Sequence, residues 1–165
     1  MVGDPQSAGG RAVSAICIID TSVFCNILNV PRRNQRHDEA VAALGMMVRG
    51  GYTLLLPLAA IYETGNHIAQ NGDGGARRRA AAVFVQQVLA AFTGDAPWTP
   101  TLVPAPDDFI SWLGEFPDHA TRGVGLGDLS IIKTWERQCA LNQARRVFIW
   151  SYDADLGGYD RPPRV

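Results

Sequence analysis

The fold turns on Ala15-Ile16-Cys17-Ile18-Ile19-Asp20-Thr21-Ser22. An isoleucine-rich run of strand length stops at one carboxylate, and two small hydroxyl residues follow it. The run does not alternate with polar residues, so it reads as a strand buried on both faces, as in a parallel sheet. Chemistry in such sheets gathers just beyond the carboxyl ends of the strands, and Asp20 occupies that place. A helix cap would explain it equally well. The other segments decide the matter by what they bring to the same edge.

Residues 1–14 are rich in Gly, Ala and Ser and read as a flexible N-terminal extension; residues 15–165 read as a single domain. Helices are expected over Val23–Asn29, Asp38–Arg49, Leu58–Gln70, Ala76–Phe92, Asp107–Phe116 and Asp128–Asn142. Further strands are expected over Tyr52–Leu56, Thr101–Val103 and Val147–Trp150. Val41, Leu44 and Val48 should face the core from the second helix, and Phe84, Val88, Leu89 and Phe92 from the fourth. Pro117 should end the fifth. Strands alternating with helices give an α/β class with a parallel sheet. Gly157-Gly158 and Pro162-Pro163 argue against a final strand after Asp153.

At 165 residues and 47% hydrophobic content the chain can bury a real core. The net charge of −1 neither favours nor excludes nucleic acid, because only a local patch matters there. Of the 15 basic residues only Lys133 is a lysine. Cys17, Cys25 and Cys139 form no CxxC pair and read as reduced thiols of a cytoplasmic protein. His37, His67 and His119 lack zinc-site spacing. No apolar stretch reaches the roughly 18 residues that a membrane span needs.

Four acids share a distinctive placement. Asp20 ends the first strand, and Asp153 follows Ser151-Tyr152 after the fourth. Glu63 lies early in the helix after the second strand, and Asp128 lies in the first turn of a helix entered through Gly123-Val124-Gly125-Leu126-Gly127. All four can converge on one edge of a parallel sheet. Taken singly, Asp20 and Asp153 could be helix caps and Asp128 a first-turn acid answering the helix dipole. Glu63 belongs to a stripe with Asn66, His67 and Gln70 that carries no Lys or Arg, which favours a polar cleft. Converging carboxylates cannot all stay ionised without help. An all-oxygen set selects Mg²⁺ or Mn²⁺, with Thr21, Ser22, Asn66 and Ser151 in support.

Ile19-Asp20-Thr21-Ser22, Glu63 with Asn66, Gly127-Asp128 and Ser151-Tyr152-Asp153 resemble, in order and rough spacing, the four acidic motifs of PIN domains. The resemblance spans about Ala15 to Leu156, and within that family the chain looks like the VapC-like toxin ribonucleases of toxin–antitoxin pairs. It implies a three-layer α/β/α sandwich around a mostly parallel sheet, a Mg²⁺ or Mn²⁺ cofactor, and hydrolytic cutting of RNA. It further implies a homodimer and a cognate antitoxin protein. Asp20, Glu63, Asp128 and Asp153 map onto the family's acidic positions, and Ser22 and Ser151 onto its hydroxyl positions. The chain departs from the pattern in its long N-terminal extension, its short end after Asp153, and the additional acid Asp155 beside the site.

Other signals weigh less. The glycine segment lacks the Walker lysine and full dinucleotide spacing, so it reads as a turn that aims Asp128. Ser22 stands where an aspartyl-phosphate phosphatase of the haloacid-dehalogenase type needs a second Asp. Arg77-Arg78-Arg79 reads as a solvated face or, with Arg32, Arg33 and Arg36, as a contact to the RNA backbone; Lys133 and Arg137 are further candidates. The sequence therefore points to a metal-dependent endoribonuclease. The alternative is a PIN-like module that binds RNA or a protein without cutting.

Overall fold

The computed structural model describes residues 14–101 and 103–164. The expected N-terminal extension lies, apart from Ser14, outside the described residues. The elements follow in the order β1 (Ile16–Ile19), α1 (Thr21–Ile27), α2 (His37–Arg49), β2 (Thr53–Leu56), α3 (Leu58–Ala69) and α4 (Gly74–Thr93). Then come β3 (Trp98–Pro100), α5 (Pro106–Ala120), α6 (Leu126–Leu141), β4 (Val147–Trp150) and β5 (Asp160–Arg161).

The sheet runs β3-β2-β1-β4-β5. Its first four strands are parallel, and β5 is antiparallel to β4. Side chains of a strand point alternately to the two faces, and β1 buries both sets. Cys17 and Ile19 join Val23 and Phe24 of α1 and Ala60 of α3 on one side. Ile16 and Ile18 join Ile131 and Ile132 of α6 on the other. This is the expected α/β/α sandwich, with β1 at its centre.

Several local expectations need correction. Of the strand expected over Thr101–Val103, Leu102 lies outside the described residues and Thr101 and Val103 lie outside any strand: β3 lies earlier, where Trp98 is buried edge-on against Phe24 at 5.5 Å between ring centroids. A final strand does form, because Arg146 forks onto Asp160 at 2.9 and 2.6 Å and Arg161 donates to the carbonyls of Asn142 and Gln143. Asp73 caps α4 through the N–H groups of Gly75 and Ala76, so that helix starts earlier than its alanines suggest. In α5, Pro106 opens the helix and Asp107 lies in its first turn. The helix continues past Pro117 to Ala120. Leu89 and Phe92 point outward, 60% and 64% exposed, and Val41 and Val48 are also exposed. The inward stripes are Ala40, Leu44 and Met47 on α2 and Phe84, Val88 and Ala91 on α4.

Among the described residues no helix is long and apolar enough to cross a membrane. The three cysteines are free thiols.

Candidate active site

In the sheet order the chain leaves β1 toward β2 and β3 on one side and later returns to place β4 on the other. The loops after β1 and β4 therefore part company at the carboxyl edge, which opens a crevice there. Asp20 follows β1 directly, and its N–H donates to the carbonyl of Trp150 at the end of β4. Asp20 is 4% exposed. Its Oδ2 accepts the N–H of Ser22 at 3.1 Å, the hydroxyl of Ser22 at 2.6 Å and the hydroxyl of Ser151 at 2.8 Å. Each hydroxyl has a single proton and spends it on Asp20, so the 3.3 Å approach of the two serine oxygens is not a third bond. Asp20 is thus the N-cap of α1, and its Oδ1 receives no donor among the described residues.

The serine oxygens also accept. Ser22 Oγ takes the N–H of Tyr152 at 2.9 Å, and Ser151 Oγ takes that of Asp153 at 2.9 Å. This lattice ties the ends of β1 and β4 together around one carboxylate. Glu63 reaches the site from α3 and accepts the hydroxyl of Thr21 on Oε2 at 3.1 Å. Its other oxygen lies over Gly127, where a Cβ would collide with it. Gly123, at φ +79°, turns the chain in the left-handed region before α6, and Gly125 caps the helix. Asp128 then stands in its first turn.

Asp20, Thr21, Ser22, Glu63, Asp128 and Asp153 line one cleft of about 310 Å³, together with Cys25, Asn26, Arg33, Gln35, Arg36, His67 and Tyr152. Burial first, then the negative charges of Glu63, Asp20 and Asp153, push the Asp128 carboxyl up to about 6. Among the described residues, no three His, Cys, Asp or Glu side chains converge tightly enough to hold a metal ion by themselves. The four acids share a cleft without forming a closed cage.

No protein-family model, curated protein or solved structure matches the chain.

Asp20, Thr21, Ser22, Glu63, Asp128 and Asp153 line the cleft, and Ser151 braces it through Asp20. Asn66 does not line it: it is exposed, one helical turn beyond Glu63. The Asp155 carboxylate does not line it either; its contribution is an N–H donated to Asp153 Oδ1 at 3.0 Å. Arg77 donates to the carbonyl of Asn71 at 2.6 Å. With Arg78 it borders an apolar groove between α3 and α4, away from the acids. Arg79 lies 3.9 Å from Asp73. Lys133 is clasped by Glu115 at 2.5 Å and Glu136 at 2.9 Å, so its charge is already matched.

Sequence reasoning missed the part played by Asn26. It is buried, donates to the carbonyl of Ser22 at 2.8 Å and accepts the N–H of Arg36 at 2.7 Å, fixing the next loop against α1. Its position one turn after Ser22 was the only available signal. Tyr152 was passed over as a spacer between Ser151 and Asp153, yet the guanidinium of Arg36 stacks 3.8 Å above its ring.

Proposed function

We propose that the chain is a PIN-like, divalent-metal-dependent endoribonuclease that hydrolyses RNA phosphodiester bonds, and the toxin of a VapBC-type toxin–antitoxin pair. One observation carries the reading. Four carboxylates from four separate segments line a single cleft at the switch point of the sheet, close enough that three of them raise the pKa of the fourth. Folding has no need of that repulsion.

The donor set fits Mg²⁺ or Mn²⁺. The four acids offer only oxygens, and Asp20 keeps one oxygen free of donors among the described residues; Cys25 and His67 line the same cleft, but no three His, Cys, Asp or Glu side chains there form a nitrogen- or sulfur-bearing metal group. Mg²⁺ retains several waters and binds through one or two carboxylates plus substrate phosphate, so it does not need the three-residue cage that the described residues do not form. A bound divalent ion would lower the pKa of a water and neutralise charge at the phosphorus centre. The protein's own part is orientation. Ser22 and Ser151 fix the plane of Asp20, Thr21 fixes Glu63, and Asp128 and Asp153 complete a wall of acceptors that aligns water for in-line attack.

Exposed Val85, Leu89 and Phe92 on α4, and Val41, Met46 and Val48 on α2, offer apolar surface for an antitoxin or a second copy of the chain. The free thiols suit a cytoplasmic setting.

The test is incubation of the purified protein with single-stranded RNA and Mg²⁺. Cleavage is expected, and Asp20→Asn should abolish it while the circular dichroism spectrum stays unchanged. Wild-type cleavage that continues in excess chelator would sink the mechanism. The open spacing of the acids also favours a second reading, a PIN-like module that binds RNA or a protein without cutting. That reading requires RNA or partner binding without metal-dependent turnover.

A further inference from the structure

An acidic cleft repels the polyanion that the proposed function requires it to hold, so cations near its mouth must offset that repulsion. Arg33 and Arg36 supply the positive charge on its wall, and His67 lies beside them. Arg36 is bound to Glu39 through two hydrogen bonds at 2.8 and 2.6 Å and stacks on Tyr152, so its charge is already engaged. The guanidinium of Arg33 makes neither an ion pair nor a hydrogen bond among the described residues, and neither does that of Arg32.

Arg33 and His67 also line a second cavity of about 260 Å³, completed by Pro31, Arg32, Gln70 and Asn71. The two cavities therefore meet along a shared basic wall. Nδ1 of His67 is buried there without a hydrogen-bond partner, and an unmet polar atom of that kind is costly unless a ligand or water answers it. Burial, and then the charge of Arg33, lowers the pKa of His67, so the imidazole stays neutral beside the arginine.

The loop that presents these arginines is held from several directions. Asn71 donates to the carbonyl of Pro31 at 3.2 Å, Gln35 to that of Arg32 at 2.9 Å, and Asn26 accepts the N–H of Arg36. Arg32 itself has φ +68°, a left-handed conformation that side chains rarely adopt. A guanidinium fork on a braced loop is suited to two parallel hydrogen bonds to a phosphate.

We infer that Arg33, with Arg32 and the His67 ring, forms a phosphate subsite that holds the phosphodiester next to the scissile one on a single RNA strand. The inference rests on the nuclease reading for its substrate, and Arg33 is its positioning residue.

The test measures affinity of the Asp20→Asn protein for a short single-stranded RNA across a salt series, with and without Arg33→Ala. Arg49→Ala serves as a control for loss of one charge elsewhere. Arg33→Ala should weaken binding about tenfold and reduce the salt slope by about 0.7, the signature of one lost phosphate contact. In the cleavage-competent protein, Arg33→Ala should raise KM and leave kcat within about twofold, as loss of uniform binding does. Failure of the RNA to bind, or affinity and salt slope for Arg33→Ala equal to those for Arg49→Ala, overturns the subsite. RNA binding that depends on Arg33 without metal-dependent cleavage upholds the subsite and overturns the nuclease reading. Cleavage that is indifferent to Arg33 does the reverse.

Discussion

Asp128 feels partial burial and three neighbouring carboxylates, all acting in one direction, and its carboxyl is pushed up to about 6. Below about pH 4 it is protonated in both folded and unfolded chains and costs nothing. Between about pH 4 and pH 6 the unfolded chain ionises first, so the folded state holds the extra proton and stability falls as pH rises. Above pH 6 the penalty is complete. The nominal cost is about 3 kcal/mol, and solvent screening of a half-buried group reduces it to about 1–2 kcal/mol. In metal-free buffer, Asp128→Asn should therefore be more stable than wild type at pH 7.5 by about 1 kcal/mol, with the gain gone at pH 4. Equal urea-midpoint differences at the two pH values would contradict this. Gly127 offers a complementary test. An added methyl would meet the carboxylate of Glu63, including its Cδ at 3.2 Å, and a flexible side chain can swing aside. Gly127→Ala should keep or slightly raise Tm, since Ala favours a helix by up to about 1 kcal/mol over Gly. Cleavage should drop about tenfold or more as Glu63 leaves its place beside Thr21, an effect of misplacement that can reach 10²-fold. Full activity in that variant would show that Glu63 needs no such placement.

At the level of elements, α5 has no fully buried residue and is held to α6 in part by Lys133, whose side chain is 12% exposed between Glu115 of α5 and Glu136 of its own helix. Lys133→Ala should cost about 1 kcal/mol, in the range of partly shielded ion pairs, and leave RNA affinity untouched. A fall in RNA affinity of tenfold would restore Lys133 as a contact. The same pairing explains why its role was not legible: sequence shows a cation, and only tertiary packing shows whether a carboxylate has already claimed it. Helix existence was legible throughout, but helix register only in part: Leu44, Phe84 and Val88 pack inward as expected. On α2 and α4 the inward stripes run through Ala40 and Ala91 beside larger residues. The bulky Val41, Val48, Leu89 and Phe92 drew attention to the wrong faces. Pro117 misled differently. It removes one backbone donor, but α5 runs one turn further, to Ala120, with no buried residue along it.

Across the whole molecule, the acidic site was legible because strand ends and helix starts are fixed by local pattern, and a parallel sheet brings them to one edge. β1 revealed this most plainly: its unbroken apolar run matches a central strand with a helical layer on each face. The residues of the basic wall were legible singly, Arg32 and Arg33 as candidate backbone contacts and His67 in the polar stripe, but their meeting was not, since it depends on a loop held by Asn26 and Asn71. The two walls together make a prediction about the folded state as a unit. A ligand that binds only the native protein stabilises it by about 2.7 kcal/mol at 100 times its Kd, and a domain of this size gains about 2–4 °C per kcal/mol. Saturating Mg²⁺ or Mn²⁺ at pH 7.5 should therefore raise Tm by about 5–10 °C, and chelator should reverse the rise. Asp20→Asn should lose the effect because it removes the carboxylate whose free oxygen would face the ion. Asp128→Asn should start from a higher metal-free Tm and gain less, since part of the repulsion that the ion relieves is already gone. An equal rise in wild type and both variants would place the ion elsewhere. No rise, combined with intact RNA binding, would favour the non-cutting module, because a cleft that binds the polyanion without a cation has no means of activating water by the proposed route.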